Sequence, residues 1–190
     1  FPTTFTILPT YRCNAECEQC CFESNPRMTH RLSLEQIKAV ISEARADFPA
    51  LRVIIFSGGE CFLLKDDLYA SIRHATDLGL LTRCVTNAFW GKTPDAAKRT
   101  VARLLDAGIT EINISTGADH QKWVPLSSVE NAAEALVEAG IQTLITIESD
   151  GPDSDCIRTA FESPTVRNLL ATRSHLFRVQ QNIWMPFNGK

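Results

Sequence analysis

Apolar and polar positions along this chain fall into blocks that favour strands and helices by turns. A short run near Thr4–Pro9 reads as a first strand. Ile37, Val40, Ile41 and Ala44 then recur at helical spacing, behind Ser33-Leu34-Glu35-Gln36, which matches a capping box. Val53-Ile54-Ile55-Phe56 is continuously apolar, the pattern of a strand buried on both faces. The unit repeats as a helix over Asp67–Leu78 stopped by Gly79, a strand over Thr82–Thr86, and a helix opened by Thr93-Pro94 that ends at Gly108. Ile112–Ser115 reads as a fourth strand, and Ser127-Ser128-Val129-Glu130 offers a second capping box before a helix that stops at Gly140. A fifth strand over Thr143–Ile147, a helix over Cys156–Leu170 and a sixth strand over Leu176–Gln181 complete the pattern.

From the second strand onward, strand starts lie about 30 residues apart, the size of one strand–helix crossover. Such alternation predicts an α/β fold with parallel strands. Right-handed crossovers would bring all strand C-termini to one face, where barrel enzymes place their chemistry. A closed eight-stranded barrel takes about 250 residues. This chain has 190, so a (β/α)6 partial TIM barrel is expected. The segment after the first strand, Gly58-Gly59-Glu60, Asn87, Ser115 and Glu148 all follow strands and should share that face.

Composition narrows the class. An apolar fraction of 44% supports one domain with a sizeable core, and a net charge of −3 argues against nucleic acid or an anionic membrane as the main partner. No apolar run approaches the roughly 20 residues that span a bilayer. The N-terminus lacks the basic flank and apolar stretch of a secretory signal, so a cytoplasmic location is expected. The chain starts without methionine and stops at Phe187-Asn188-Gly189-Lys190, just past the sixth strand. Residues 1–190 are therefore expected to be one core domain lacking a C-terminal extension.

Seven cysteines are many for such a chain. Cys13, Cys17 and Cys20 are spaced C-x3-C-x2-C, and three close thiolates can hold an iron–sulfur cluster one protein ligand short of the usual four. The iron left without a protein ligand offers an open position. Zinc is the alternative; Cys21 or His30 could formally complete its set, although adjacent Cys20 and Cys21 do not easily point at one metal. Cys21, Cys61, Cys84 and Cys156 share no C-x2-C spacing, so a second cluster built within this chain is not expected. The Gly58-Gly59-Glu60 segment follows a buried strand, where glycines permit a sharp turn and a close approach to a ligand.

The cysteine spacing and the downstream Gly-Gly-Glu together resemble the radical S-adenosylmethionine (radical SAM) superfamily, over nearly all of the chain. The resemblance implies a [4Fe–4S] cluster on Cys13, Cys17 and Cys20, with SAM on the open iron. It implies that Gly58, Gly59 and Glu60 bind the SAM ammonium, with Glu60 as charge partner, and that Ser115 holds its ribose or carboxylate. Asn87 would either face SAM or cap the following helix. His120, beside Asp119, could move protons near neutral pH, and Glu148 could orient cofactor or substrate. Cys61 stands where the family often has proline, as a buried hydrophobe or a thiol facing the site. These three are the catalytic candidates. Gln19 replaces an aromatic usual before the third cysteine, and Phe22 is a candidate for that packing role. Ile145 and Ile147 read as core, or as a wall for adenine; Trp90, Trp123 and Trp184 read as packing.

The implied chemistry is reductive cleavage of SAM to methionine and a 5′-deoxyadenosyl radical that abstracts hydrogen. An external one-electron reductant such as flavodoxin or ferredoxin is implied as partner. The pattern looks most like peptide-modifying branches, including SPASM-type enzymes, which suggests a ribosomally made peptide as substrate. A small metabolite is the alternative, and a non-catalytic iron–sulfur electron-transfer module is a reading of a different class. The chain has no G-x-S-x-G elbow, phosphate loop, H-E-x-x-H or G-x-G-x-x-G.

Overall fold

The computed structural model describes residues 2–149 and 154–183, so Trp184 and the residues after it lie outside the described residues. Six strands form one sheet in chain order, each parallel to its neighbour: β1 (Thr4–Ile7), β2 (Val53–Phe56), β3 (Leu81–Thr86), β4 (Glu111–Gly117), β5 (Gln142–Ser149) and β6 (Phe177–Ile183). Helices α1 (Leu34–Asp47), α2 (Asp66–Asp77), α3 (Pro94–Ala107), α4 (Leu126–Glu138), α5 (Asp155–Glu162) and α6 (Pro164–Thr172) fill the crossovers. The expected (β/α)6 partial barrel is the observed architecture.

Local chemistry sets most element ends as the residues dictate. The Ser33 side chain accepts from the Gln36 N–H, and the Gln36 side chain accepts from the Ser33 N–H, a complete capping box on α1. Thr93 caps α3 ahead of Pro94. Two expectations fail. α4 begins at Leu126 after Pro125, so Ser127 and Ser128 lie inside its first turn and cap nothing. Ser128 is buried there, its carbonyl packed against Gly91 of the short 3-10 turn Phe89–Gly91. The single helix expected over Cys156–Leu170 is two, because Pro164 holds Ser163 extended. Ser163 then caps α6 by accepting from the Val166 N–H, and its hydroxyl donates to Glu130 at 2.5 Å.

Alternation along the strands sorts side chains onto two faces. Ile54, Phe56, Cys84, Ile112, Ile114, Ile145 and Ile147 are buried in one core with Ile37, Ile41, Leu68, Ile72, Val101, Leu104 and Leu136 of the helices. The other face is the concave inner surface, and it is largely polar. There Arg83 pairs with Glu111 at 2.7 Å, and Gln180 donates to Thr146 at 3.2 Å. Val53 and Ile55 are only half-buried on it, so β2 is not sealed on both faces as its apolar run suggested. Among the described residues β1 and β6 remain the two edges of the sheet, which leaves that face open.

Candidate active site

All strands run the same way, so their C-terminal ends share one rim. A cavity of about 190 Å³ lies there, lined by Cys13, Cys17 and Cys20 on one side and by Ser57, Gly58, Gly59 and Glu60 after β2. Thr86 at the end of β3, Asn87 after it, Ser115 in β4, His120 and Glu148 also line it. Ten of the eleven residues singled out from sequence thus meet at one place. Cys61 does not. It is fully buried in the core, where its thiol donates to the Val85 carbonyl at 3.4 Å, and burial together with neighbouring Cys84 pushes its pKa up. The 3-10 turn Cys61–Leu64, which Glu60 caps, points the thiol inward, so it does not face the site.

The cysteine loop is pinned at its base. The Gly59 N–H donates to the Thr10 carbonyl at 2.8 Å and the Glu60 N–H to the Arg12 carbonyl at 2.9 Å, extending the β1–β2 pairing past the strands. A Cβ on Gly59 would sit 2.3 Å from the Arg12 oxygen, and one on Gly58, whose φ is +103°, 2.5 Å from that of Thr10. What these glycines approach is the loop carrying the cysteines. Across the loop, isolated bridges join Thr10 to Arg31 and Arg12 to Asn25.

Glu60 is fully buried, and its carboxylate accepts from three donors: Phe62 N–H at 3.1 Å, Thr86 Oγ1 at 2.9 Å and Asn87 N–H at 2.8 Å. Burial outweighs these bonds and raises its pKa to about 7. Thr86 also accepts from Trp90 Nε1 at 3.2 Å and from the Ala88 N–H at 3.0 Å, which builds the turn after β3 around the same carboxylate. Trp90 stacks on Phe62 with ring centroids 5.1 Å apart, as packing. Of the two roles expected of Asn87, the structure shows a cap: Oδ1 accepts from the Phe89 N–H at 3.1 Å in the following turn, while Nδ2 is turned to the cysteine loop.

Two further ionisable groups face the cavity. Burial lowers the pKa of half-buried His120, which favours neutral imidazole, against the opposing pull of Asp119. Asp119 itself pairs with Lys122 at 3.0 Å. Burial raises the Glu148 pKa, and a hydrogen bond from Asn182 on β6 partly offsets this. Phe22 also lines the cavity and meets Tyr11 edge-on at 6.4 Å, consistent with the packing expected in place of an aromatic at Gln19. Ile145 and Ile147 are core. Trp123 is 44% exposed, contrary to a packing role.

Sequence reading missed Ser57 and Thr86. The period-2 pattern could have found Ser57, which follows Val53 and Ile55 on the inner face.

Three thiols from one loop, all lining the cavity, are a donor set that fits an iron–sulfur cluster. Burial holds Cys13 at about 11 and Cys17 at about 12, with a smaller upward push on each from neighbouring cysteines, so their thiolates need cationic partners. A cluster takes each thiolate on a separate iron. The Ala15 N–H at 3.4 Å and Asn87 Nδ2 at 3.7 Å point at Cys13 Sγ, the donor pattern that suits a cluster sulfur.

A family model described as the radical SAM superfamily matches residues 7–177. The chain belongs to the radical SAM superfamily. YydG of Bacillus subtilis (strain 168), named for peptide biosynthesis, is 30% identical over 131 residues, 69% of this chain and 41% of YydG. The PqqA peptide cyclase of Rhodopseudomonas palustris is 38% identical over 118 residues, 60% of this chain and 28% of the cyclase. An AdoMet-dependent heme synthase of Oleidesulfovibrio alaskensis is 30% identical over 155 residues, 72% and 37% of the two chains. This radical SAM chain thus spans less than half the length of each of these relatives. Among solved structures, anSMEcpe with bound AdoMet shares the fold at a TM-score of 0.66 and 14% identity, over 96% of this chain and 52% of that one. Among the described residues no helix is long and apolar enough to cross a membrane.

Proposed function

We propose that this chain is the catalytic core of a radical SAM enzyme that modifies a peptide. The observation that carries the reading is the meeting of three cysteines, the Gly-Gly-Glu segment and Ser115 in one cavity at the rim of a partial barrel, in a chain of this superfamily. Cys13, Cys17 and Cys20 would hold a [4Fe–4S] cluster, with Gly58, Gly59, Glu60, Asn87 and Ser115 on the SAM side. The chemistry that such a cluster would supply, once reduced by an external one-electron donor such as flavodoxin or ferredoxin, is the electron for cleavage of SAM to methionine and a 5′-deoxyadenosyl radical.

The chain's own residues position and shield. Glu60 is fixed by three donors before any ligand arrives, so a cation such as the SAM ammonium meets a preorganised carboxylate. Ser115 offers a hydroxyl to the same cavity. Ala15, Phe22 and Val85 give the cavity an apolar wall that excludes water from a reactive intermediate. His120, held neutral, is the available base, and Glu148 the group on the substrate side.

The peptide assignment rests on the names of YydG and the PqqA cyclase; the heme synthase keeps a small molecule as the second reading. Anaerobically reconstituted protein given SAM and a strong reductant should form 5′-deoxyadenosine, and a Cys17→Ala variant should not. No product from a fully loaded protein would overturn the enzyme reading. Deuterium passing into 5′-deoxyadenosine from a fully deuterated precursor peptide would support the peptide; label arriving only from a small metabolite would reverse that choice.

A further inference from the structure

Asn87 touches both the cysteine loop and the Gly-Gly-Glu segment. Its main-chain N–H donates to Glu60 Oε2 at 2.8 Å. Its side-chain Nδ2 donates to Asn14 Oδ1 at 3.0 Å and approaches Cys13 Sγ at 3.7 Å. Its Oδ1 accepts from the Phe89 N–H at 3.1 Å. That last bond fixes the amide's orientation: a flip would set the NH2 against another N–H and withdraw the donor from both Asn14 and Cys13. The residue is 7% exposed, so water competes little for these bonds.

We propose that Asn87 is a positioning residue that tunes the cluster through Cys13, by donating an N–H to its sulfur, while its backbone fixes Glu60 on the SAM side. The inference rests on the functional reading above. A hydrogen bond to a ligand sulfur stabilises added negative charge, and reduction of a cluster adds one. The donor therefore favours the reduced state, and its loss makes the reduction potential more negative. The Ala15 N–H reaches the same sulfur at 3.4 Å, but any residue supplies a backbone donor; Asn87 supplies one that the side chain decides.

Two variants separate this role from simple support of the turn. Asn87→Leu removes both donor and cap. Asn87→Asp keeps an acceptor for the Phe89 N–H and removes the donor. Asn14→Ala is the control, since it releases one partner of Nδ2 and leaves the approach to Cys13. Each protein is loaded with iron and sulfide, and its potential is read by EPR during reductive titration. Both Asn87 variants should shift the one-electron equilibrium roughly tenfold toward the oxidised form, about 59 mV more negative, with Asn14→Ala near wild type.

Unmoved potentials in fully loaded Asn87 variants would overturn the proposal. So would an equal shift in Asn14→Ala, which would assign the effect to loop geometry. Should the Asn87 variants hold no iron, wild-type protein carrying asparagine labelled with ¹⁵N at the side-chain amide decides the matter. Pulsed EPR should find a ¹⁵N coupling to the reduced cluster, and its absence would refute the contact. A wild type that binds no cluster at all would instead bring down the functional reading.

Discussion

At the scale of single residues, the site is built by groups that serve more than one neighbour. Glu60 is the clearest case, because a carboxylate with three donors would ordinarily ionise easily, yet burial raises its pKa to about 7. Its unfolded value is near 4.5, so folding takes up a proton between those limits. The stabilisation is full below about pH 4.5 and is lost as pH rises through about 7. Glu148, also raised, adds a slope of the same sign. His120 acts oppositely: its lowered pKa gives stability that is present above its unfolded value of 6.5 and lost as pH falls through the folded value. In iron-free protein, Glu60→Gln, an isostere of the protonated acid, should flatten the fall in urea midpoint between pH 5 and 7. His120→Gln should remove the loss on the acid side. A Glu60→Gln profile parallel to wild type would mean that the folded carboxylate titrates at its ordinary value. The ionisable candidates were legible from their place after strands. The partners that shift them were not, because Glu60, Thr86 and Asn87 are brought together by the β2–β3 register rather than by any spacing in the chain.

The same limit recurs among the elements. Capping signals gave the right end where the local bonds are self-contained, as at Ser33 and Thr93. Ser127-Ser128-Val129-Glu130 carries the same signature and fails, because tertiary packing of the Phe89–Gly91 turn on Ser128 starts α4 earlier and leaves Glu130 to receive Ser163. The break between α5 and α6 was readable in Ser163-Pro164, whose proline forces the preceding residue out of helix; amphipathic spacing across it hid the break. These assignments separate experimentally. Ser163→Ala removes the α6 cap and leaves Glu130 without its partner, and should cost about 1–2 kcal/mol. Ser127→Ala, at an exposed position that caps nothing, should stay within about 0.5 kcal/mol. Urea denaturation of both variants checks this, and equal losses would restore the capping box at Ser127.

For the whole molecule, the division of labour between barrel and loop decides how the protein should respond to loss of iron. The hydrophobic core lies between the convex face of the sheet and the helices, and none of Cys13, Cys17 and Cys20 belongs to it. Repeating strand–helix units made that arrangement readable from sequence, because each unit buries its own apolar stripe against its neighbour. The inner face was less readable, since Val53 and Ile55 look like sealed core while Arg83, Glu111 and Thr146 beside them keep it polar. The cysteine loop has no strand or helix of its own. Backbone bonds to Gly59 and Glu60, the bridges from Thr10 and Arg12, and the Asn87 amide hold it. Local stability follows such differences in buried contact and bonding. Bound iron would crosslink the loop at three cysteines, and a ligand that binds only the folded form stabilises it. Chelation of iron from the loaded protein should therefore speed amide hydrogen exchange across residues 13–24 by at least tenfold and leave β2 to β5 nearly unchanged. Exchange rising equally in the strands would show that the cluster supports the barrel itself. In that case the loop and the sheet would unfold as one unit, and the glycine-pinned base at Gly58 and Gly59 would be the place where the two are joined.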